Sequence, residues 1–395
     1  MVHDNTNANN NKNNNYTEAT FDDIRPLRDA EVKEAIESLL NDEFFKMAVT
    51  NYIAPMAWDD FTKLLQGYNT IDDFQENVIY TLIHKFVEGN IDKLWLTNPE
   101  NVDLNESHIY ISNHRDIVLD AALFNVLLSE EGSKTTEVAI GDNLLIYPWI
   151  TTMVRLNKSF IVKRGVSIRQ IIETSTHLSH YIHKTVRNDN QSVWIAQREG
   201  RAKDSNDRTQ TSLLKMLALA NSKDTLGSIK ALNLVPLSIS YEYDPCDFLK
   251  AKEFQLKRDF DDYKKTNQDD IINMLTGIGG YKGRVCFSLC KPLNDKIDAV
   301  STTANKSVIL QEIANLIDEE IFKNYEFFPP NYVAHDLFTN SDKFADKYTT
   351  EEKEAFEAYV DKQVDKIDIE NKDIPFLKHK ITEMYANTLI NHLSV

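Results

Sequence analysis

The stretch YISNHRDIVLDAALFNVLL, residues 110–128, is the most informative about the fold because it contains a complete strand-to-helix transition. A short apolar strand ends at Ser112, Asn113 and His114 form a turn, and apolar residues at helical spacing begin near Ile117. Strands that alternate with helices in this way build a sheet covered by helices. The transition also places a histidine between two rigid elements, where its imidazole is exposed and held in position.

The same alternation of short apolar runs with amphipathic stretches extends to about residue 290. It predicts an α/β fold in which helices cover a sheet. The predicted strands are 108–112, 136–140, 159–163, 192–196, 231–240 and 284–290, and the predicted helices are 117–129, 146–157, 167–186, 210–221, 256–275 and 304–324.

Four regions are predicted from the change of pattern along the chain. Residues 1–17 are rich in asparagine and are predicted to be disordered. Residues 18–103 carry apolar residues at helical spacing, residues 104–330 form the α/β domain, and residues 331–395 are predicted to be a helical extension.

Composition excludes several classes of protein. The chain has 395 residues, with 61 acidic and 44 basic side chains and a net charge of −17, which is unfavourable for a nucleic-acid-binding protein. Its three cysteines contain no CxxC pair, so it is neither a disulfide scaffold nor a zinc ribbon. No apolar run is long enough to predict a membrane-spanning helix.

The charge is distributed unevenly, and this matters for the kind of ligand. Between Thr152 and Lys215 there are twelve basic and five acidic residues, a local charge of +7 that leaves −24 for the rest of the chain. A basic region inside an acidic protein is what an anion-binding site requires.

His114 is the first candidate for chemistry. A neutral imidazole at this turn can accept a proton from a hydroxyl group, and a carboxylate on the next helical turn can fix its tautomer. The alternative is that Asp116 only caps the helix and His114 is a surface residue. The HRD triplet also occurs in the catalytic loop of protein kinases, but that loop requires an asparagine where this chain has Ala121, and no DFG motif follows.

Two further clusters follow predicted strands. Lys163, Arg164 and Gly165 come directly after the strand at 159–163, where basic side chains beside helical amides suit a phosphate. The other cluster, which follows the strand at 192–196, comprises Arg198, Glu199, Gly200, Arg201 and Lys203. For each cluster a solvated turn is the alternative. Since ligands in open α/β sheets bind at strand ends, the joint occurrence is more specific than either cluster alone.

With these motifs the sequence resembles the glycerolipid acyltransferases, the glycerol-3-phosphate and lysophosphatidate acyltransferases, over residues 105–295. NHRDIVLD is similar to the catalytic block of that family, FIVKR (160–164) to its FFIRR block and EGRAK (199–203) to its EGTRS block. VPLSISYE (235–242) resembles the strand VPVSISYE, and GRVCFSLCKPL (283–293) resembles the strand that follows it. The resemblance implies a mixed sheet covered by helices.

Two departures from the family pattern leave alternatives open. The family spacing puts the catalytic aspartate at Leu119, so a one-residue insertion is needed to restore Asp120 as the carboxylate that orients His114, with Asp116 as the second choice. Arg201 follows Gly200 directly, whereas the family arginine comes one residue later. Either Arg201 or Lys203 is therefore expected to reach the phosphate.

The resemblance implies direct acyl transfer from acyl-CoA or acyl-carrier protein to a hydroxyl of glycerol phosphate or lysophosphatidate. It implies His114 as base, with Asp120 or Asp116 as its partner, and no metal or cofactor. The substrate phosphate would be bound by Lys163, Arg164, Glu199, Gly200, Arg201 and Lys203, with Asn113, Arg115 and Pro236 as further site residues.

The remaining expectations concern the cellular setting and the alternatives. A cytoplasmic protein held peripherally at the inner face of the membrane is expected, with LLIYPWITTMV (144–154) as a candidate membrane-facing segment. Pro236 lies in a predicted strand and indicates an edge, bend or bulge there. The alternatives to the proposed acceptor are another lyso-lipid, such as an amino lipid, and a lipid-binding relative without catalysis.

Overall fold

The computed structural model describes residues 18–52, 56–300 and 305–395. The tail predicted to be disordered, residues 1–17, lies outside the described residues. In the described part of the chain, no helix is long and apolar enough to cross a bilayer.

The N-terminal part is a layer of short amphipathic helices. Their apolar faces bury Leu39, Phe45, Phe61 and Phe74 in one cluster, which Leu156 joins from the central domain. The helices are α1 (Val32–Leu40), α2 (Glu43–Tyr52), α3 (Trp58–Gln66), α4 (Ile71–Phe74) and, after a π-helical segment at Gln75–Ile79, α5 (Tyr80–Val87).

A strand follows these helices, so the region predicted as helical, 18–103, changes structure before its predicted end. Strand β1 covers Ile91–Thr97 and belongs to the central sheet. Leu94 and Leu96 pack in the core on alternate positions, which is the period of a strand. The sequence interpretation extended the helical period of the preceding residues across this short segment.

Among the described residues, seven strands form one mixed sheet in the order β1-β7-β6-β2-β5-β3-β4. The five strands from β6 to β4 run parallel to one another, whereas β7 is antiparallel to β6 and parallel to β1. This confirms the predicted α/β fold with a mixed sheet. The remaining strands are β2 (Ile109–Ser112), β3 (Glu137–Gly141), β4 (Ser159–Val162), β5 (Val193–Ala196), β6 (Leu234–Tyr241) and β7 (Gly283–Leu289).

Pro236 lies inside a central strand, so the expectation of an edge or bend there is wrong. It is paired in register with Ile111 of β2. Its carbonyl accepts from the Cys290 amide at 3.1 Å, just after β7 has ended. In an antiparallel pair, the N and C=O of one residue point to the same neighbouring strand. The nitrogen of Pro236 therefore points towards the chain just after β7, so its missing N–H costs no hydrogen bond of the sheet.

Helices cover both faces of the sheet and form two separate cores. One face buries Ile109 and Val193 against α8, α9, α10 and α14, and the other buries Tyr110 and Trp194 against α5 and α6. The helices of this central part are α6 (Leu119–Glu130), α7 (Pro148–Leu156), α8 (Ile168–Arg187), α9 (Thr211–Leu217), α10 (Thr225–Lys230), α11 (Asp247–Asp259), α12 (Asn267–Gly279), α13 (Asn294–Asp298) and α14 (Lys306–Lys323).

The helix predicted over 256–275 is wrong, because two helices, α11 and α12, occupy this part of the chain with a turn between them. Thr266 starts α12: its hydroxyl accepts from the Asp269 amide, and the Asp269 carboxylate accepts from the Thr266 amide at 2.7 Å. Such a capping box fixes a helix start within the predicted span.

The C-terminal helices form a fourth apolar cluster together with α11. Helix α15 crosses the predicted boundary at 330/331, and Phe356, Leu377 and Tyr385 are buried between the helices. These helices are α15 (Pro329–Thr339), α16 (Thr350–Asp365) and α17 (Ile374–Leu393).

Candidate active site

His114 and Asp120 meet at the C-terminal end of β2. The Nδ1 atom of His114 lies 2.8 Å from the Asp120 carboxylate, which is fully buried, whereas the His114 side chain retains 13% of its exposure. The same Oδ2 atom accepts from the backbone amides of Arg115 at 2.6 Å and Asp116 at 3.0 Å. Three nitrogens therefore hold this carboxylate through its Oδ2 atom.

Asp116 has a different geometry from Asp120. Its Oδ1 accepts from the amides of Val118 at 2.9 Å and Leu119 at 2.8 Å, which are at the start of α6. Burial and the neighbouring Asp120 raise the pKa of Asp116. Of the two carboxylates considered from the sequence, Asp120 contacts the imidazole and Asp116 caps the helix.

Asn113 fixes the turn before the histidine. Its side-chain amide donates to the Ile239 carbonyl at 2.8 Å, and its side-chain oxygen accepts from the Ile239 amide at 2.8 Å. The amide thus continues the pairing of β2 with β6 after the β2 backbone has turned away. This contact holds His114 at the C-terminal end of β2, which is a central strand of the sheet.

Two aromatic residues enclose the pair. The Trp194 ring packs edge-on against the His114 ring with centroids 5.7 Å apart. The Tyr241 hydroxyl faces Asp120, and burial, together with the charges of Asp120 and Asp116, raises the pKa of Tyr241 well above its usual value. The hydroxyl is buried and has no hydrogen-bond partner among the described residues.

Helix α12 packs against the site with the face that carries Gly277 and Asn273. A Cβ atom at Gly277 would lie 2.1 Å from Asp116 Oδ2, so the absence of a side chain lets the helix approach this carboxylate. One turn earlier, Asn273 Oδ1 accepts from Arg201 Nη2 at 2.9 Å. Arg201 is 7% exposed, and its Nη1 has no hydrogen-bond partner among the described residues.

Lys163 and Arg164 are exposed at the end of β4, and each contacts a carboxylate. Lys163 pairs with Asp23. Arg164 lies 3.3 Å from Glu199, and its amide donates to Asp142 at 3.0 Å. Arg164 after β4 and Glu199 after β5 thus meet across the end of β3, the strand between them, whereas Lys163 pairs with the N-terminal segment.

The turn at Gly200 requires a residue without a side chain for conformational reasons. Its φ is +67°, and a Cβ atom there would meet nothing within 4 Å. Beyond this turn, Lys203 lies 2.9 Å from Glu253 of α11. Burial lowers the pKa of Lys203 to about 8, and the nearby Glu253 opposes this shift.

The segment 144–154 does not present all its aromatic residues to solvent. Trp149 packs in the N-terminal apolar cluster, 5.9 Å from Phe45 between ring centroids. Tyr147 is 42% exposed and stacks on Phe44, which is 60% exposed. The amphipathic helix α7 therefore packs its apolar side against the N-terminal helices and does not present that side to solvent.

Two comparisons with known proteins give a match. Residues 93–238 match the family model described as Acyltransferase. A crystal structure of the 1-acyl-sn-glycerophosphate (LPA) acyltransferase PlsC from Thermotoga maritima is similar at 11% identity with a TM-score of 0.33, covering 74% of this chain and 94% of that one. No curated protein sequence matches this chain significantly.

The sequence interpretation gave no role to four residues that close the site. Tyr241 lies inside the quoted block VPLSISYE, whereas Trp194, Asn273 and Gly277 lie outside the quoted blocks. Asn273 and Gly277 are four residues apart and so share one face of α12. A glycine and a polar residue on one face of a helix, with isoleucines elsewhere, indicate that another segment packs closely against that face. The pattern does not indicate which segment of the chain this is.

Proposed function

We propose that the protein is a glycerolipid O-acyltransferase that moves a fatty acyl group from acyl-CoA or acyl-carrier protein to a hydroxyl of glycerol phosphate or lysophosphatidate. The observation that carries this proposal is the 2.8 Å contact between His114 Nδ1 and Asp120 in the segment that matches the Acyltransferase family model. Polar groups at strand ends of a parallel sheet are also where ligands of such folds bind.

The proposed mechanism uses His114 as a general base. Because Asp120 accepts from Nδ1–H, the Nε2 atom is free to take the proton of the acceptor hydroxyl. The oxygen attacks the thioester carbonyl, a tetrahedral oxyanion forms, and the thiolate leaves with the proton returned by His114. The products are the ester and the free thiol, and general-base assistance of this kind is typically worth about 10²–10⁴-fold in rate.

Arg201 is the basic residue best suited to an acceptor phosphate near this pair. It is buried, its neighbour Asn273 lies one turn from the contact of α12 with Asp116, and Nη1 has no hydrogen-bond partner in the described part of the chain. A guanidinium with a free donor in a site of low exposure binds a phosphate oxygen strongly. Arg164, which follows β4 and pairs with Glu199, is proposed as the second phosphate ligand.

A second acceptor class is favoured by the pairing of the basic residues. Lys163, Arg164 and Lys203 each have a carboxylate of the same chain within ion-pair distance, namely Asp23, Glu199 and Glu253. A phosphate would have to displace these carboxylates, whereas a neutral or amino-containing lyso-lipid would leave them in place. The second candidate is therefore an acyltransferase for such an acceptor.

Peripheral binding to a membrane is proposed for the side of the molecule that carries these strand ends. Ile168 and Ile172, at the start of the helix after β4, are 86% and 71% exposed, and the basic Arg169 lies between them. Exposed isoleucines beside a cation suit the interface of an anionic bilayer. Co-sedimentation with vesicles of phosphatidylglycerol should weaken for Ile168→Ser/Ile172→Ser and stay unchanged for Val308→Ser, an exposed apolar control on α14.

The experiment that tests the function combines donors and acceptors. Purified protein is incubated with acyl-CoA or acyl-carrier protein and with glycerol 3-phosphate, lysophosphatidate or a lyso-amino-lipid, and the products are identified by mass spectrometry. His114→Ala should abolish transfer while its thermal unfolding matches wild type. Transfer by this variant at the wild-type rate would refute the role of His114, and no transfer to any acceptor would favour a lipid-binding relative.

The two acceptor classes are separated by one pair of variants. With a phosphate-bearing acceptor, Arg164→Ala and Arg201→Ala should each lower kcat/KM, because a charged hydrogen bond is lost. With a neutral or zwitterionic acceptor, Arg164→Ala should leave the rate nearly unchanged.

A further inference from the structure

We propose that Arg115 is a positioning residue whose buried ion pair with Asp207 holds the His114–Asp120 turn against the loop 204–209, and through that loop against the C-terminal helices. This inference rests on the proposed acyl transfer and adds a residue set that lies partly outside the acyltransferase-family match, which ends at residue 238.

Arg115 lies between the catalytic histidine and the helix cap, yet its side chain points away from both. Its guanidinium is 5% exposed and lies 2.7 Å from Asp207, which is fully buried. It also packs over the Tyr325 ring at 5.9 Å from the centroid. Neither Arg115 Nη1 nor the Asp207 carboxylate has a hydrogen-bond partner in the described part of the chain, so the attraction between the two side chains is that of a buried ion pair. Breaking such a pair leaves an uncompensated charge, which favours keeping both partners in place.

The loop that carries Asp207 is fastened at each side of that residue. The amide and hydroxyl of Thr209 donate to Asp318 of α14 at 2.8 and 2.6 Å. On the other side, the Asp204 carbonyl accepts from Asn387 of α17 at 2.8 Å. The loop is therefore fixed by two helices that follow the family-matched domain in the chain.

Arg208, the residue after Asp207, makes a third contact between the loop and the C-terminal helices. Arg208 donates to Asn391 of α17 at 3.2 Å and packs over the Phe322 ring at 4.6 Å from the centroid. Arg208 is also within 4.0 Å of Asp318, the residue that accepts from Thr209, so the three consecutive loop residues are held by Arg115, α14 and α17. Such a network transmits the position of the C-terminal helices to the guanidinium of Arg115.

The consequence for catalysis follows from the backbone of Arg115. Its amide donates to Asp120 Oδ2 at 2.6 Å, the same atom that holds His114. A shift of the Arg115 backbone therefore moves the acceptor of the imidazole. Misplacement of a catalytic group by about 1 Å can cost about 10²-fold in rate without any loss of substrate contact.

The test compares two conservative arginine variants in the full chain. Arg115→Lys keeps the charge but loses the planar fork, and Arg25→Lys does the same at a 9% exposed arginine paired with Glu31 outside the site. We expect Arg115→Lys to lower kcat by about 10–100-fold with both KM values unchanged, since alignment rather than binding is affected. Arg25→Lys should lower the unfolding temperature and leave kcat as in wild type.

Asp207→Asn provides an independent measurement that keeps the side-chain shape. It should lower kcat to the same extent as Arg115→Lys, and the double variant should be no worse than either single one, because the two residues act as one unit. Wild-type kcat in Asp207→Asn, or an equal loss of kcat in Arg25→Lys, would overturn the positioning role. Wild-type protein that transfers no acyl group would instead overturn the proposed function, so the two failures are distinct.

Discussion

The Asp120 carboxylate lies 2.8 Å from His114 Nδ1, six residues earlier in the chain, and the same oxygen also accepts from the amides of Arg115 and Asp116. The extra residue in this turn, relative to the family spacing, is thus accommodated without separating the two side chains. The turn folds back so that the first helical turn of α6 faces the end of β2. Which carboxylate serves the imidazole is decided by this geometry.

The first prediction separates the two aspartates of the turn. Asp120→Asn should lower kcat by about 10⁴-fold, because an amide in this position favours the wrong imidazole tautomer. Asp116→Ala should cost mainly stability, about 1 kcal/mol, because it removes the Oδ1 acceptor that caps α6. Steady-state kinetics and chemical denaturation of both variants check this, and a larger kcat loss in Asp116→Ala would reverse the assignment.

The second prediction concerns the approach of α12 to the site. In Gly277→Ala the new Cβ would lie 2.1 Å from Asp116 Oδ2, so the helix or the carboxylate has to move. We expect a destabilisation of about 1–3 kcal/mol, typical of overpacking, together with reduced activity. Gly279→Ala on the same helix meets nothing within 4 Å and is the matched control. Equal stability and activity of the two variants would contradict the close contact.

The third prediction uses the lowered pKa of Lys203, about 8, which burial causes. Lys203 carries its charge below that pH and loses it above. If it contacts an acceptor phosphate, which is dianionic throughout this range, the acceptor KM should rise between pH 7 and pH 9. Lys203→Arg keeps its charge and should show a flat acceptor KM over the same range. An acceptor KM in wild type that does not depend on pH would remove Lys203 from the phosphate site.

The fourth prediction concerns Asp247, which fastens α16 and α17 to α11. It accepts from the hydroxyls of Tyr359 at 2.7 Å and Tyr385 at 2.9 Å, and burial, together with nearby Asp244, raises its pKa to about 7. The native state therefore binds more protons than the unfolded chain between about pH 4 and pH 7, and this contribution to stability is lost as the pH rises through that window.

Asp247→Asn removes this titration, so the difference in unfolding free energy between wild type and variant should shrink from pH 5 to pH 8. Urea denaturation at several pH values measures it. Asp259→Asn, at the C-terminal end of α11, removes a carboxylate whose pKa is lowered, first by its hydrogen bond to Arg258. Its effect should therefore be constant across this range. A difference for Asp247→Asn that grows with pH would contradict the raised pKa.

The order of strands and helices around His114 was predictable from the amino-acid pattern, because the periods of two and 3.6 residues are local properties of the chain. The strand at 192–196 and the helix at 167–186 lie within a residue or two of β5 and α8. The sequence-based prediction was wrong at β1, because this short strand was included in the helical region before it. It was also wrong at α11 and α12, because the capping box at Thr266 starts a new helix within the single helix that was predicted.

The residues that surround His114 depend on how distant segments of the chain pack together. The pairing of Lys163 with Asp23, the approach of Gly277 to Asp116 and the ion pair of Arg115 with Asp207 all join segments far apart in the chain. Such contacts depend on how the helices pack on the sheet and leave no periodic signal. The net local charge of +7 therefore identified a basic region, whereas folding supplied the carboxylates that occupy much of it.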